Sequence, residues 1–123
     1  MSSKNGDSRR VQRVEKEVQQ SVARFLIRDI QSEFPGLLTV THVGMSGDLK
    51  TARISVSLFI TEGEKEASMK EALKTLKAWT PEIQKHLSDE LQLRFVPKLQ
   101  FVEDEAMAKS LHIENLLAEL KKK

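Results

Sequence analysis

An alternating stretch in the middle of the chain, Thr51 to Ile60, limits the fold most strongly. Apolar residues at its even positions alternate with mostly polar residues, which is the period of a strand with one buried face. A second strand-like run, Leu37 to Met45, precedes it through a short turn, so antiparallel pairing is predicted. A third, Phe95 to Val102, follows a long helical crossover that permits parallel pairing. We therefore predict a three-stranded mixed sheet with Thr51–Ile60 in the middle.

Helical periodicity is found on both sides of these strands. The first helix is predicted from the N-cap Ser8 to about Gln31, after which Phe34-Pro35-Gly36 turns the chain. The pattern is helical again from Glu64 to Trp79. Thr80-Pro81 then supplies an N-cap residue and a first helical residue, so a further helix is predicted to begin after a break. The crossover is thus predicted to contain two helices, which cover the apolar face of the sheet.

The last part of the chain is predicted to add a strand and a helix. In the strand, Leu99, Phe101 and Phe95 are expected to face the core, and Pro97 indicates an edge strand or a bulge because it lacks a ladder donor. The apolar positions of the final helix are Met107, Leu111, Leu117 and Leu120. The order α-β-β-α-α-β with an added C-terminal helix is an α+β layout, that of a type II KH domain, which is a nucleic-acid-binding fold.

Length and composition predict a single domain with no cysteine chemistry and no membrane span. The 123 residues suit a single core, predicted over residues 8–120, with a disordered tail over 1–7 and a basic tail over 121–123. The chain has no Cys, and neither a signal peptide nor a membrane span is indicated, so a cytoplasmic protein is expected. The net charge is only +2, but cations outnumber acids by seven to three in residues 1–28. This basic end is compatible with nucleic-acid binding and equally with a solvated helix.

No constellation of residues indicates catalysis. The three histidines, His42, His86 and His112, form no short metal-binding motif, and neither a nucleophile elbow nor a glycine-rich phosphate loop occurs. The adjacent carboxylates of residues 103–105 suit a helix entry better than an active site. Trp79 is predicted to plug the core rather than to stack on bases. We therefore expect no enzyme activity, no metal, no cofactor and no small-molecule substrate.

Specific residues add a resemblance to these patterns. The first helix opens with Arg10-Val11-Gln12-Arg13-Val14. The turn between the first two strands contains Met45-Ser46-Gly47-Asp48-Leu49, and the third strand contains Leu93-Arg94-Phe95-Val96-Pro97-Lys98-Leu99-Gln100-Phe101. In this order and spacing the set resembles the bacterial ribosome-binding factor A family over about residues 8–120. The resemblance implies an assembly factor that binds the free small (30S) ribosomal subunit. It also implies assistance in late maturation and 5′-end processing of 16S rRNA, chiefly in the cold, without nuclease activity.

The chain departs from the family pattern at several positions. The Ala-x-Gly kink, which in this family replaces the Gly-x-x-Gly loop of ordinary KH domains, falls on Trp79-Thr80-Pro81. Gly47 stands where an Arg is usual in the turn, Ala106 replaces a usual Ser, and His112 replaces a usual Arg. The missing Gly-x-x-Gly loop argues against ordinary KH binding of single strands. The departures imply a divergent member whose RNA contacts are redistributed.

The predicted site is a set of basic side chains that contact phosphates of folded ribosomal RNA, recognising shape rather than base identity. The candidates are Arg10, Arg13, Lys50, Arg53, Lys77, Lys85, Arg94 and Lys98. Each is otherwise a solvated charge. The expected protein is a monomer whose partner is the small subunit and its rRNA. Two alternatives stay open, which are a protein–protein adaptor that docks through the Met107–Leu120 helix without binding RNA directly, and an RNA-processing enzyme.

Overall fold

A computed structural model describes residues 2–107 and Leu120, with side chains from Ser8 onward. The described elements are α1 (Ser2–Phe25), a π-helical turn (Leu26–Ile30), a 3-10 turn (Gln31–Glu33), β1 (Leu37–Met45), β2 (Thr51–Phe59), α2 (Lys65–Glu90) and β3 (Lys98–Glu103). Residues 105–107 are helical. The rest of the predicted C-terminal helix, including Leu111, Leu117 and the family position His112, lies outside the described residues.

The three strands form one mixed sheet in the order β1-β2-β3, which confirms the predicted central place of β2. β1 and β2 are antiparallel, and β2 and β3 are parallel, with Thr51 beside Lys98. A bulge in β1 lies at Thr41, whose hydroxyl donates to Asp104 Oδ2 at 2.6 Å and lies 3.2 Å from the carbonyl oxygen of Ser55. This one side chain thereby ties β1 to the residue that follows β3, across the central strand.

The core lies on one face of the sheet. The even positions of β2 are buried there, and their odd neighbours are exposed or half-buried on the open face. The helices contribute a continuous apolar layer, whose most buried members are Val18, Val22, Leu26, Ile30, Ala72, Leu76, Ile83 and Leu87. Glu90 joins the two helices by pairing with Arg24 and by accepting a hydrogen bond from Ser21 Oγ at 3.1 Å. The alternation of apolar and polar residues in β2 thus gives the sheet one apolar face, and both helices pack on that face.

The first helix differs from the prediction at its start. α1 begins at Ser2, so Ser8 lies inside the helix and the predicted N-cap is wrong. At the other end the helical backbone continues to Glu33, near the predicted limit, but through the π and 3-10 turns that follow Phe25. The wider π turn buries Leu26 and Ile30 together. The division into residues 1–7, 8–120 and 121–123 stays a prediction.

The predicted break in the crossover is wrong, because α2 runs without interruption from Lys65 to Glu90 with Pro81 inside it. The Thr80 hydroxyl donates to the carbonyl of Leu76 at 3.0 Å instead of capping a new helix. Buried α2 side chains at positions 69, 72, 76, 83 and 87 keep helical spacing on both sides of the proline. Packing of this stripe on the sheet therefore outweighs the local preference of Thr80-Pro81 for a helix start.

Replacing this proline is expected to stabilise the protein. Pro81 has no N–H to donate to the carbonyl of Lys77, and an internal proline costs a helix about 3 kcal/mol. Pro81→Ala should raise the free energy of unfolding by about 1 kcal/mol or more, measured by urea denaturation. A lower value in the variant would show that the proline contributes more by restricting the unfolded chain than it loses in the helix.

Candidate nucleic-acid interface

A groove of about 440 Å³ opens where α1, the β1–β2 turn and the loop after α2 meet. Its polar lining comprises Arg10, Arg13, Glu17, Asp48, Gln92 and Arg94. Three of the eight predicted RNA-binding residues, all arginines, therefore share one concave surface. The groove carries three cationic side chains against two carboxylates, so its charge is positive but mixed.

The position of α1 places two of these arginines. Arg10 and Arg13 lie three residues apart and so share one side of the helix, while the neighbouring Val14 is buried in the core. Glu15 Oε2 accepts a hydrogen bond of 2.7 Å from the backbone N–H of Met45, at the end of β1. This bond fastens the arginine-bearing turn of α1 beside the β1–β2 turn.

The β1–β2 turn is built by side-chain and backbone hydrogen bonds. Leu49 N–H donates to the Ser46 carbonyl at 2.9 Å, and Asp48 Oδ1 accepts from Ser46 Oγ at 2.7 Å and from Lys50 N–H at 3.0 Å. The left-handed residue in this turn is Leu49, with φ of 61°, and not Gly47. Leu49 is half-buried against the core, so side-chain packing offsets the strain of this backbone.

Local hydrogen bonds lower the pKa of two carboxyl groups. The hydroxyl of Ser46 and the N–H of Lys50 hold the pKa of Asp48 below its ordinary value of 3.8. The Thr41 hydroxyl and the Met107 N–H likewise lower the pKa of Asp104. Asp48 therefore contributes a negative charge to the lining of the groove.

These lowered pKa values predict a loss of stability in acid. A carboxyl whose pKa is depressed by folding stabilises the protein above its unfolded value and loses that contribution as pH falls through the folded value. The free energy of unfolding should therefore decline as pH is lowered through 3.8. Thr41→Val should reduce this decline by raising the pKa of Asp104, and a pH profile identical to that of the unchanged protein would contradict the assignment.

Phe95 does not face the core as predicted. β3 begins only at Lys98, so Phe95 belongs to the preceding loop, and the buried Pro97 takes the inward position. Leu99 and Phe101 do pack against the core, as predicted. The Phe95 side chain lines the groove with 52% of its surface exposed, 5.6 Å from Lys50 Nζ and 5.4 Å from Arg94 Cζ, measured to the ring centre. Because Lys50 Nζ is close to this ring, Lys50 lies at the edge of the groove.

The other four predicted residues lie elsewhere. Arg53 and Lys98 occupy exposed positions on the open face of the sheet. Lys77 and Lys85 lie exposed on α2, and Lys85 borders a second cavity of about 330 Å³ beside Trp79. Among the described residues the ion pairs are those of Glu90 with its neighbours, so none of the eight is held in one. The eight residues therefore form one convergent group of four and two separate pairs.

Trp79 packs inward, as the sequence predicted. Its ring meets that of Phe25 edge-on, with centres 6.3 Å apart, and it lies half-buried against the core. The groove residues that were not predicted as part of the site include Glu17, Gln92 and Phe95. Glu17 follows Arg13 by four residues, so the helical spacing alone could have placed it beside Arg13. The other two come together with α1 only through the tertiary fold.

Neither a metal site nor a membrane span is found in the described part of the chain. No cluster of three or more His, Asp or Glu side chains there is placed to hold a metal ion. Neither described helix has an apolar stretch long enough to cross a bilayer.

The arrangement of helices and strands matches known structures. The crystal structure of ribosome-binding factor A from Thermus thermophilus superposes with a TM-score of 0.63 at 22% identity, covering 78% of this chain and 97% of that chain. A Thermus thermophilus ribosome-binding factor A homology model, fitted into a cryo-EM map of a 30S complex, gives 0.59 at 24% identity, covering 76% and 93%. The fold class is therefore that predicted, a type II KH-like α+β domain with a mixed sheet.

Sequence comparison identifies the family within that class. A ribosome-binding factor A from Bdellovibrio bacteriovorus is 42% identical over 115 residues, covering 94% of this chain and 83% of the relative. The profile of the ribosome-binding factor A family matches residues 10–117. The chain belongs to the ribosome-binding factor A family.

Proposed function

We propose that this protein is a cytoplasmic assembly factor that binds the free small ribosomal subunit through its rRNA. In this role it assists late maturation and 5′-end processing of 16S rRNA, especially in the cold. The convergence of Arg10, Arg13 and Arg94 in one groove carries the proposal, and membership of the family supports it. A relative of the same fold is described in a complex with the 30S subunit.

The groove acts by binding and breaks no bond. Arginine presents a planar set of donors that matches phosphate oxygens, and two arginines on one side of α1 can reach successive phosphates of one strand. Arg94 faces them from the loop after α2, so a backbone that enters the groove meets cations on both walls. Recognition of contour rather than sequence follows, because phosphate contacts carry no base information.

The two separate pairs of cations are proposed as secondary contacts. Arg53 and Lys98 lie on the open sheet face, and Lys77 and Lys85 lie on α2, so one straight RNA segment in the groove does not meet them all. They contribute where rRNA wraps beyond the groove. We further propose that the protein acts as a monomer, without a cofactor, a small-molecule substrate or a membrane.

Sedimentation with ribosomal particles tests the binding proposal. The protein should sediment with free small subunits in preference to intact ribosomes, and the bound fraction should fall steeply between two salt concentrations because each phosphate contact releases counterions. Binding that is insensitive to salt and to RNase treatment of the particles would favour the protein–protein adaptor instead. Turnover of precursor RNA by the purified protein would favour an enzyme.

The maturation role has its own test. Cells that lack the protein should accumulate 16S precursor with an unprocessed 5′ end, more strongly at low temperature, and the wild-type chain should reverse this. Primer extension on rRNA from free small subunits measures the effect. Normal 5′ ends in depleted cells would remove the maturation role while leaving subunit binding intact.

Restoring the family's arginine in the turn should strengthen binding. A Cβ added at Gly47 meets no atom within 4 Å, so Gly47→Arg fits without displacing its neighbours. The new cation lies at the groove that Gly47 lines, and one added phosphate contact should steepen the salt dependence by about 0.7–0.9 in log–log slope. Gly47→Gln is the matched uncharged control. An unchanged slope in the arginine variant would show that phosphates do not pass this turn.

A further inference from the structure

We propose that Phe95 is a stacking surface for one unpaired RNA base, held in the groove between the cations that bind the flanking phosphates. The inference rests on the proposed function and adds the kind of RNA that this site takes, which is a strand with at least one unstacked nucleotide. Phosphate contacts alone would accept paired RNA equally well.

The ring of Phe95 is exposed in the loop that precedes β3. Phe95 keeps 52% of its surface accessible, although the neighbouring Leu93 and the buried Pro97 both turn inward. The loop is fixed, because Gln84 Nε2 donates to the Pro97 carbonyl at 3.0 Å and the Leu93 N–H donates to the Leu91 carbonyl at 2.9 Å. A large apolar side chain is therefore presented to solvent by an anchored loop.

The charges around the ring fit a nucleotide. Lys50 Nζ and Arg94 Cζ lie 5.6 and 5.4 Å from the ring centre, within the range of a cation–π interaction. Both cations lie over the ring, so a base that stacks on Phe95 takes the place of at least one of them. The displaced side chain is then next to the base, where it can bind a flanking phosphate. Arg10 and Arg13 line the same groove from α1.

The ligand chemistry follows from this combination. An aromatic face beside a row of cations is how proteins bind unpaired nucleotides, since every base has a π-face that stacks without regard to sequence. The groove volume of about 440 Å³ is in the range of sites that hold a small organic group. In a regular RNA helix the bases are stacked on one another, so only an unpaired nucleotide presents a base to Phe95.

Affinity and salt dependence together separate stacking from charge. Phe95→Leu, which keeps an apolar side chain, should weaken binding to free small subunits by about tenfold, in line with the measured worth of one stacked base. The salt slope should stay unchanged because no phosphate contact is removed. Phe95→Trp should bind at least as tightly as the unchanged protein, and thermal unfolding of each variant checks that the exposed substitution leaves the fold intact.

Crosslinking shows what the ring touches. Phe95→p-benzoylphenylalanine, bound to free small subunits and irradiated, should form an adduct that primer extension maps to an unpaired nucleotide. An adduct only on paired RNA or on a ribosomal protein would overturn the inference, as would wild-type affinity in Phe95→Leu. Salt-insensitive binding of the unchanged protein would instead defeat the proposed function, so the two failures are distinguishable.

Discussion

Replacing Arg10, Arg13 and Arg94 together by alanine is expected to weaken binding to free small subunits by about a hundredfold, at about 1 kcal/mol for each exposed charge contact. The slope of log affinity against log salt should fall in magnitude by about 2–3, since three phosphate contacts are removed. Folding should be unaffected, because Arg10, Arg13 and Arg94 are exposed and none of them is in an ion pair with a described residue. Filter binding at several salt concentrations measures both quantities.

Two matched variants make this test specific to the groove. Lys77→Ala with Lys85→Ala also removes cations, but from α2, and should change affinity by less than the arginine variant. Glu17→Gln removes a negative charge that lines the groove and should tighten binding. If the α2 variant lost as much affinity as the arginine variant, overall charge rather than the groove would determine binding.

Gly36→Ala is expected to lower the free energy of unfolding by about 1–3 kcal/mol, the usual effect of an extra methyl group in a packed site. A Cβ at this position would overlap the carbonyl oxygen of Phe59 and lie 2.7 Å from Ile60 Cγ2. The Phe59 oxygen is a backbone atom at the end of β2, opposite Leu37, so relief requires the β1–β2 pair to shift. Urea denaturation, with the slope checked for two-state behaviour, measures the loss.

The turn glycine supplies the control. Gly47→Ala also adds one methyl group, but with no atom within 4 Å, and neither glycine has a left-handed backbone. Its effect should stay within about 0.5 kcal/mol. Equal losses in the two variants would mean that the entropy of the unfolded chain, and not the contact at Gly36, determines the result.

The first two strands were predictable because their signals are local. β1 has its predicted bounds, and the alternation of β2 needs no knowledge of the rest of the chain. α2 was not predicted as one helix because Thr80-Pro81 carries a strong start signal. The buried stripe that runs past it, from Met69 to Leu87, gains its energy only from tertiary packing on the rest of the core. Tertiary burial thus overrode a local preference.

The groove was predictable only in part. Charge and resemblance selected Arg10, Arg13 and Arg94, but their convergence depends on how α1 lies against two loops that are distant in sequence. The same criteria also selected Lys77 and Lys85, which lie on α2 and do not line the groove. Phe95 was misplaced because the strand was expected to start before Pro97, so an exposed loop residue was counted as a core residue.

The hydrogen bond from Met45 N–H to Glu15 has a consequence for how the protein meets its partner. Because it joins the arginine-bearing helix to the end of a strand, it holds the groove in shape in the free protein. In the proposed complex, most of the conformational entropy lost on association would therefore be that of the RNA, which adapts to the preformed groove. In the proposed function, a particle whose rRNA already has the matching contour would therefore bind the protein more tightly than one that has to be reshaped.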